Sequence, residues 1–360
     1  MTHTSSPSPI TVSIPARPAT GYDIHIGGGL RHRAGELVAS VHAPCRVLLL
    51  TDDTVAELYA RDVAESLTDA GFTVISHIIP HGEGSKVPLC LLDLVERMAV
   101  EHLTRSDLLV ALGGGVVGDL GGFAAAIYQR GIPCVQMPTT LLAMVDSSVG
   151  GKTAVDLEAG KNLCGAFHQP ALVLCDTECL NTLSAEIFSD GMAEVIKYAF
   201  IQDRPLFDLL QWDTPDMEAV IRLCVNDKRI LVVADETDRG ARQLLNLGHT
   251  VGHAAEFASE YTLSHGHAVA MGMTVITRAA VKKGLCDPGT LTALIALLKK
   301  YGLPVECPFS SRQLYHVALS DKKRAGDRIT LAIPYGVGDT RLVTVPAAEL
   351  ETYISAGLSE

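Results

Sequence analysis

Four short segments of this chain contain glycine, threonine or lysine, residue types that are found where proteins bind anions. The first is a glycine turn that follows an apolar run and precedes a helix-compatible stretch. A strand, a tight turn and a helix N-terminus in this order direct backbone N–H groups toward a phosphate. A glycine triplet alone is weak evidence, because close packing also selects glycine, but three further clusters follow. The segments cover residues 113–119, 138–140, 146–153 and 160–162.

Imidazole groups form a second set of candidate residues. His249 and His253 are four residues apart, so they share one face if the segment is helical, and residues 264–267 add two more histidines. Glu194 and Lys197 form an i,i+3 pair on an earlier predicted helix. One glutamate and two histidines can hold a catalytic zinc ion with one position open. Ordinary surface histidines and a solvated Glu–Lys pair explain the same spacing equally well.

The elements that would position these residues alternate between strand and helix up to about Leu183. This alternation predicts parallel strands with crossover helices, and a nucleotide would lie beyond the carboxyl ends of the strands. The predicted strands are 46–51, 73–79, 108–112, 134–137 and 172–175, and the predicted helices among them include 55–69 and 89–101.

Acidic residues follow the first of these strands. A carboxylate of Asp52 or Asp53 can accept hydrogen bonds from a ribose at this position. A helix N-cap at Asp53 is an equally good interpretation. The sequence leaves both open.

From Ser184, a predicted helix N-cap, the pattern changes to helices. A hairpin is predicted from residues 328–333 and 341–345. We therefore expect an α/β Rossmann-like domain over 1–183, with a flexible tail over 1–9, and a mainly helical domain over 184–360, with the active site in the cleft between them. The predicted helices are 184–200, 217–233, 246–259, 265–283 and 290–301.

Composition narrows the class of protein. Hydrophobic residues make up 48% of the 360 residues, which suits a folded core. The net charge of −12 argues against nucleic acid or an anionic membrane as a partner. Nine cysteines without Cys-x-x-Cys spacing, no signal peptide and no membrane-spanning run lead us to expect a cytoplasmic protein.

Together these motifs resemble the 3-dehydroquinate synthases of the sugar-phosphate cyclase superfamily, in order and spacing, from about Gly21 to residue 345. The resemblance implies conversion of 3-deoxy-arabino-heptulosonate 7-phosphate to 3-dehydroquinate and phosphate in the shikimate pathway, with NAD and a divalent metal, zinc or cobalt. The implied steps are transient oxidation, phosphate elimination, re-reduction, ring opening and aldol closure. The segments that carry it are 113–119, 128–131, 138–153, 160–162, 193–198, 242–253 and 321–323.

The resemblance also assigns roles to residues. The metal ligands would be Glu194, His249 and His265. NAD contacts would come from Asp52, Glu83, Lys86, Gly114, Gly115, Val116, Val117, Gly118, Asp119, Thr139, Thr140, Lys152, Lys161, Cys179 and Thr182. Substrate contacts would come from Asp146, Lys152, Asn162, Lys197, Lys228, Arg242, Asn246, His253 and Lys322 or Lys323, with Arg130 reaching a neighbouring subunit of a homodimer.

Within the implied substrate site, the side chains divide by the anion that each would bind. Lys228 and Arg242 suit a carboxylate, since guanidinium binds it bidentately. Without the resemblance, Lys228 reads as a surface lysine and Asp119 as a first-turn helix carboxylate. The side chains that suit a phosphate are Lys152, Asn162, Lys197, Asn246 and His253.

Two residues depart from the family pattern. His81 replaces the usual Asp, and His267 replaces the usual Glu close to His265. His267 could change metal affinity or compete as a ligand. Three alternative functions remain: a cyclase for another sugar phosphate, a metal-dependent polyol dehydrogenase that releases NADH, and a non-catalytic nucleotide-binding regulator.

Overall fold

The computed structural model describes residues 21–322 and 327–358. The predicted tail over 1–9, Lys323 and the side chain of Lys322 lie outside the described residues. The strands are β1 (Asp23–Gly27), β2 (Arg46–Asp52), β3 (Thr73–Ile79), β4 (Leu108–Gly113), β5 (Cys134–Pro138), β6 (Lys152–Leu157), β7 (Gly160–Phe167), β8 (Leu172–Asp176), β9 (Arg328–Gly336) and β10 (Asp339–Pro346). The α-helices are α1 (Ala34–Ala39), α2 (Asp53–Val55), α3 (Arg61–Asp69), α4 (Pro88–Val100), α5 (Gly115–Ile127), α6 (Ala185–Ile201), α7 (Arg204–Leu210), α8 (Met217–Ala234), α9 (His249–Ala258), α10 (His265–Lys282), α11 (Pro288–Lys300), α12 (Ser311–Lys322) and α13 (Leu350–Gly357).

A six-stranded parallel sheet in the order β1-β8-β5-β4-β2-β3 forms the first layer of the architecture. Successive residues of its central strands enter different cores: Leu49 and Val110 pack on one face, and Leu50 and Leu109 pack on the other. Because both faces are covered, these strands are continuously apolar rather than alternating. The predicted α/β class is confirmed.

The predicted strands of this sheet agree with the observed ones to within one residue at the carboxyl end. The predicted helix 55–69 is interrupted by a π-helical turn, Ala56–Ala60, between α2 and α3. Strand β1 and the antiparallel β6–β7 ribbon are additions to the prediction. Their residues are largely half-buried or exposed, so they lack the apolar runs that mark the central strands.

After β8 the chain is mainly helical, as predicted. The Ser184 hydroxyl accepts a hydrogen bond from the Ile187 N–H, which confirms this N-cap. The predicted helix 246–259 begins only at His249, because Gly248 has φ 81° and breaks the segment. Helices α7, α12 and α13 were not predicted, whereas the predicted hairpin is present as β9 and β10.

Close packing of α9 against α10 sets the positions of two histidines. A Cβ atom on Gly272 would lie 2.0 Å from the Gly248 carbonyl oxygen, so only glycine allows this approach. His249 and His265 are the first residues of the two helices. Their ring centroids lie 5.3 Å apart.

In the described part of the chain, none of the helices is both long and apolar enough to span a membrane.

Candidate active site

Glu194, His249 and His265 converge from three helices, α6, α9 and α10. Their candidate ligand atoms all lie within 4.8 Å of one another. One glutamate oxygen, Oε1, lies 3.5 Å from His249 Nε2 and 3.2 Å from His265 Nε2. Glu194 is fully buried. One carboxylate and two imidazoles in this geometry can hold a divalent ion such as zinc or cobalt.

Hydrogen bonds orient both imidazoles. The Nδ1 atom of His249 lies 3.1 Å from the Leu247 carbonyl, and Nδ1 of His265 lies 2.7 Å from Glu256 Oε1. The Nε2 atoms therefore face Glu194. Burial lowers the pKa of His265, but the hydrogen bonds with Glu194 and Glu256 outweigh burial and raise it to about 10. Burial, followed by repulsion from Lys197, keeps the pKa of His249 well below its usual value.

Glu256 was not singled out in the sequence, although it lies seven residues after His249 and so on nearly the same helix face. It is 2% exposed. Burial alone would raise its pKa, but the hydrogen bond with His265 lowers it to about 2. Its position is that of a carboxylate that fixes the orientation of a metal-binding histidine.

The two other candidate histidines, His253 and His267, lie outside the group formed by Glu194, His249 and His265. The ring of His253 is 5.3 Å from that of His249 and 5.9 Å from that of His265. The Nδ1 atom of His267 lies 2.6 Å from Ser264 Oγ and 3.4 Å from Asp190 Oδ1. The side chain of His267 is thus engaged at the start of α10 and does not join the ligand group.

Asp146 brings two lysines to the edge of this cluster. Lys197 lies 3.5 Å from Asp146 Oδ2 and also pairs with Glu194, while Lys228 donates to the backbone carbonyl of Asp146 at 2.5 Å and pairs with its carboxylate. Burial alone would raise the pKa of Asp146, but Lys197 and Lys228 hold it well below its usual range.

Neither lysine is a surface residue: Lys197 is 1% exposed and Lys228 is 5% exposed. The surface interpretations of Lys228 and of the Glu194–Lys197 pair are therefore wrong. Burial lowers the pKa of both lysines, but for Lys197 the charges of Asp146 and Glu194 more than compensate and raise it. For Lys228 burial prevails, assisted by repulsion from Lys197 and Arg242.

Arg242 is 1% exposed and holds the turn that precedes Lys152. Its Nη1 atom donates to the Glu236 carbonyl at 2.6 Å and its Nη2 atom donates to the Gly150 carbonyl at 3.1 Å. Among the described residues, its buried Nε has no hydrogen-bond partner. Asn246 ends the 3₁₀ segment Ala241–Asn246 that begins beside Arg242 and leads toward His249.

Lys152 pairs with Asp238, a residue that the sequence analysis missed. Asp238 has φ 59°, and its Oδ1 atom is buried without a hydrogen-bond partner in the described part of the chain. The available signal was an acidic residue four positions before Arg242. Lys152 remains 52% exposed along its side chain, so it is accessible to a ligand.

The glycine turn has the predicted geometry. Strand β4 ends at Gly113, and α5 begins at Gly115. A Cβ atom on Gly114 would lie 3.2 Å from Thr140, so the turn and the end of β5 are in close contact. The first turn of α5 contains Val116, Val117 and Gly118, and the Gly118 N–H is already bonded to the Gly114 carbonyl at 3.0 Å.

Lys86 links a predicted NAD contact, Asp119, to a predicted substrate contact, Asn162. Its ammonium group donates to Asp119 Oδ2 at 2.5 Å and to Asn162 Oδ1 at 2.6 Å. Lys86 is 5% exposed. Burial raises the pKa of Asp119, and Lys86 opposes that rise. Asp119 lies after the first turn of α5 and is bound to a lysine, so its interpretation as a first-turn helix carboxylate is wrong.

Lys161 lies between the segment that contains Glu83 and the cluster of Glu194, His249 and His265. Its Nζ lies 3.7 Å from both Glu83 Oε1 and Glu256 Oε2, and 4.8 Å from the centre of the Tyr261 ring. Burial raises the pKa of Glu83, while Lys86 and Lys161 act against that rise. One lysine thus bridges the loop after β3 and the carboxylate that orients His265.

At the end of β2, the helix-capping residue is Asp52 rather than Asp53. Asp52 Oδ1 accepts a hydrogen bond from the Val55 N–H at 2.8 Å. Asp53 instead lies 2.7 Å from Nδ1 of His81, which is one of the two departures from the family pattern. This contact ties the loop after β3 to the end of β2.

The remaining predicted NAD contacts, at Thr139–Thr140 and at Cys179 and Thr182, follow the carboxyl ends of β5 and β8. Thr140 Oγ1 accepts from the Ala143 N–H at 3.2 Å, and the buried Thr139 Oγ1 has no partner among the described residues. Thr182 Oγ1 lies 2.5 Å from the Tyr59 hydroxyl. Cys179 is 2% exposed and packs in the core.

Arg130 lies apart from the other predicted residues. It has φ 67°, is exposed and lines a cleft of about 540 Å³ with Tyr22, His168 and Gln169. Within the described residues it makes no ion pair.

Family models cover most of the chain. One, described as 3-dehydroquinate synthase N-terminal, matches residues 76–190, and one described as 3-dehydroquinate synthase C-terminal matches residues 191–324. The curated 3-dehydroquinate synthase of Clostridium acetobutylicum is 42% identical over 341 residues, which span 92% of this chain and 96% of that protein.

Solved structures with the same fold include two sugar-phosphate cyclases. A 2-epi-5-epi-valiolone synthase from Streptomyces hygroscopicus, with NAD⁺ and Zn²⁺ bound, superposes with a TM-score of 0.85 at 30% identity and covers 96% of this chain and 99% of its own. A 2-deoxy-scyllo-inosose synthase complexed with carbaglucose-6-phosphate, NAD⁺ and Co²⁺ gives a TM-score of 0.81 at 25% identity, with coverage of 94% and 97%.

Proposed function

The chain belongs to the 3-dehydroquinate synthase family, and we propose that Glu194, His249 and His265, with Lys197 and Asp146 beside them, form its catalytic centre. The enzyme converts 3-deoxy-D-arabino-heptulosonate 7-phosphate to 3-dehydroquinate and phosphate. It is a phosphate lyase of the shikimate pathway, which supplies chorismate and the aromatic amino acids. The observation that supports the proposed centre is a buried carboxylate shared by two imidazoles and a buried lysine.

The donor set fits a zinc or cobalt ion. A carboxylate and two imidazoles are hard-to-borderline donors, and three protein ligands leave a position for substrate oxygen. The low pKa of His249 keeps its imidazole neutral and able to bind a metal, whereas metal binding at His265 would displace the proton that the hydrogen bonds with Glu194 and Glu256 favour. The two cyclases with the same fold were crystallised with Zn²⁺ or Co²⁺, which supports the same choice here.

The sheet edge fits NAD. The start of α5 presents backbone N–H groups, and the Thr139 hydroxyl, which has no partner among the residues that the structure describes, offers a further polar group. When bound, NAD accepts and returns a hydride, and the metal ion polarises substrate oxygens. The proposed NAD contacts are Asp52, Glu83, Lys86, Gly114, Gly115, Val116, Val117, Gly118, Asp119, Thr139, Thr140, Lys152, Lys161, Cys179 and Thr182.

The substrate carries a phosphate and a carboxylate, and the buried cations are suited to them. Lys197 and Lys228 are both held by Asp146, so their ammonium groups are fixed before substrate arrives. Arg242 uses both Nη atoms on backbone carbonyls and retains Nε as a donor. A carboxylate would therefore receive a charge-assisted hydrogen bond from Nε, and Nη2, which carries a second N–H besides the one on the Gly150 carbonyl, would complete a bidentate contact.

We propose a division of the remaining substrate contacts. Lys228 would bind the substrate carboxylate together with Arg242, whose charge already acts on Lys228. Elimination needs a base near the reacting proton, and the departing phosphate can take that proton itself, which leaves orientation and charge neutralisation to the protein. The phosphate contacts would be Lys152, Asn162, Lys197, Asn246 and His253, with Lys322 or Lys323 contributing from α12 or the segment after it.

Reconstitution tests this function. The purified chain, NAD, zinc or cobalt and the substrate should yield phosphate and dehydroquinate in equal amounts without net NADH, and Lys197→Met should lower the rate by at least about 100-fold. If metal and NAD bind but no phosphate appears, the true substrate is another sugar phosphate. Net NADH formation from a simple polyol would instead favour a dehydrogenase.

We also propose a homodimer in which Arg130 completes the partner's active site. The support is an exposed arginine with a left-handed backbone, at the rim of a large cleft. Mixing inactive Arg130→Ala with inactive Glu194→Gln should restore about a quarter of wild-type activity, because half of randomly formed dimers contain one complete site. No recovery in dimers shown to have exchanged subunits would contradict action across the interface.

The domain boundary is best drawn before Ser184. The family models meet at 190/191, inside α6, whereas a boundary at 183/184 keeps that helix whole. We therefore propose an NAD-binding domain over 1–183 and a metal- and substrate-binding domain over 184–360. All nine cysteines are free thiols, which supports a reducing compartment, and we propose the cytoplasm.

A further inference from the structure

The turn that leads into Lys152 consists of residues with unusual backbone freedom. Gly150 has φ 89° and Gly151 has φ 67°. In this left-handed region glycine is favoured, and two consecutive glycines lose much conformational entropy when the turn is fixed. Something must therefore hold this turn if Lys152 is to lie at one place in the site.

Contacts from outside the turn hold its first peptide groups. The Gly150 N–H donates to the hydroxyl of Tyr22 at 3.0 Å, and the Gly150 carbonyl accepts from Arg242 Nη2 at 3.1 Å. The Gly151 carbonyl accepts from the His168 N–H at 2.7 Å. Of these contacts, the Tyr22 hydroxyl is the side-chain acceptor for the Gly150 amide.

Side chains also fill the space around the turn. A Cβ atom on Gly150 would lie 2.5 Å from Arg242 Nη2, and one on Gly151 would lie 2.8 Å from Gln169. Gln169 in turn donates to Glu236 at 3.0 Å. The turn is thus enclosed by the segments that carry Arg242 and Gln169, and Tyr22 contacts it from the start of β1.

Tyr22 belongs to no group that the sequence or the family comparison singled out. Its ring packs against the main core and lines the cleft beside Arg130. Burial raises the pKa of Tyr22, and the Gly150 N–H and the Arg242 charge act against that rise. The hydroxyl is therefore neutral near pH 7, with a lone pair directed at the Gly150 amide.

We propose that Tyr22 is a positioning residue whose hydroxyl fixes the Gly150–Gly151 turn and thereby sets the position of Lys152. The catalytic part of this inference rests on the proposed role of Lys152 in binding substrate phosphate. Tyr22 does not touch the reacting atoms. It acts through the turn, together with Arg242, which donates to the carbonyl of the same residue, Gly150.

The first test measures how strongly the Gly150–Gly151 turn is protected from hydrogen exchange. Tyr22→Phe removes one hydroxyl and keeps the ring, and Tyr301→Phe is a matched control because its hydroxyl also bonds to the backbone, the Leu210 carbonyl at 3.2 Å, away from the site. Hydrogen–deuterium exchange is measured on the NAD-loaded enzyme. Peptides spanning 149–152 should exchange about 5-fold faster in Tyr22→Phe than in the unmodified enzyme, and their exchange rate should be unchanged in Tyr301→Phe. Equal exchange in the two variants would overturn the proposal, whatever the enzyme's substrate is.

The second test asks whether the effect passes through Lys152. Tyr22→Phe should lower kcat/KM about 5-fold and weaken competitive inhibition by inorganic phosphate by a similar factor. Added to Lys152→Met, it should change either quantity less than 2-fold, since coupled residues are not additive. If Tyr22→Phe has the same effect with and without Lys152→Met, Tyr22 does not act through Lys152. Absence of phosphate release by the unmodified enzyme would refute the proposed function while the exchange result stands.

Discussion

The glycine-rich sheet edge and the cluster of Glu194, His249 and His265 differ in what builds them. At the edge, β4, the glycine turn and the start of α5 are consecutive in the chain, and backbone N–H groups are the functional atoms. In the cluster, side chains from α6, α9 and α10 meet around one carboxylate oxygen. Lys161 bridges the two regions through Glu83 and Glu256.

This difference predicts how each region responds to substitution. The sheet edge depends on backbone shape, so adding even a methyl group should disturb it. The cluster depends on charge and ligand identity, so changes that preserve shape but remove a donor should be the damaging ones. Substitutions at the sheet edge should weaken NAD binding and leave metal binding largely unchanged, and substitutions in the cluster should do the reverse.

The largest effect is expected from removal of the shared carboxylate. Glu194→Gln keeps the shape of the side chain but replaces an anionic ligand with a neutral amide, so activity should fall at least about 1000-fold and bound metal should be lost. Metal content by mass spectrometry and NAD affinity by titration are the measurements, and NAD affinity should stay within about 3-fold.

His267 provides the comparison for that variant. His265→Ala should lose metal as Glu194→Gln does, whereas His267→Ala should retain it, because His267 is engaged with Ser264 and Asp190. Metal loss only in His267→Ala would reassign the ligand. Retention of metal by Glu194→Gln would show that the cluster is not the metal site.

The next largest effect concerns the orientation of a ligand. Glu256→Gln replaces the carboxylate that bonds to His265 Nδ1 and should weaken metal affinity about 10- to 100-fold. Competition with a chelator measures this loss. Because Lys161 joins Glu256 to Glu83, a small change in NAD affinity should accompany it, and unchanged metal affinity would exclude the orienting role.

A smaller effect is expected at the sheet edge. In Gly114→Ala the new methyl group would lie 3.2 Å from Thr140, which is a tight contact, and NAD affinity should fall about 10-fold while metal content is unchanged. Gly336→Ala is the control, since a Cβ there has nothing within 4 Å. Equal NAD affinity in both variants would mean that the nucleotide does not approach the turn.

The smallest effect is expected from substitution of Asp227, a buried carboxyl group that precedes Lys228 in the chain. Burial, and then the charge of Asp203, raise the pKa of Asp227 from 3.8 to about 7. Between about pH 4 and 7 the folded chain holds a proton that the unfolded chain lacks, so folding stability falls as pH rises through this range. Asp227→Asn lacks this titration, so its Tm relative to the parent should rise by about 2–4 °C from pH 5 to pH 8.

Thermal melts of both proteins at the two pH values measure this difference, because other titrating groups are common to both. Asp203→Asn should remove only part of the pH dependence, since burial is a larger cause of the raised pKa of Asp227 than the charge of Asp203. A Tm difference that is equal at pH 5 and pH 8 would show that Asp227 is ionised throughout this range.

The central strands and the glycine turn were predictable because their signals are local. A continuous apolar run followed by glycines marks a buried parallel strand and the turn after it. The half-buried β1 and the β6–β7 ribbon were not predictable, since their residues lack that run. The missed residues Glu256, Asp238 and Tyr22 were hidden for a different reason: each acts on a residue brought to it by the fold.

The amino-acid sequence by itself determined the α/β class, the strand order in the chain, the glycine turn and the residue types able to bind a metal, because hydrophobic periodicity and turn chemistry depend on neighbours in the chain. Only the tertiary structure decided which of them meet. It buried Lys197 and Lys228 on Asp146, placed His267 against Ser264 and directed Tyr22 to Gly150. Burial and distance set the charge and partners of a side chain, and both arise only when distant segments pack together.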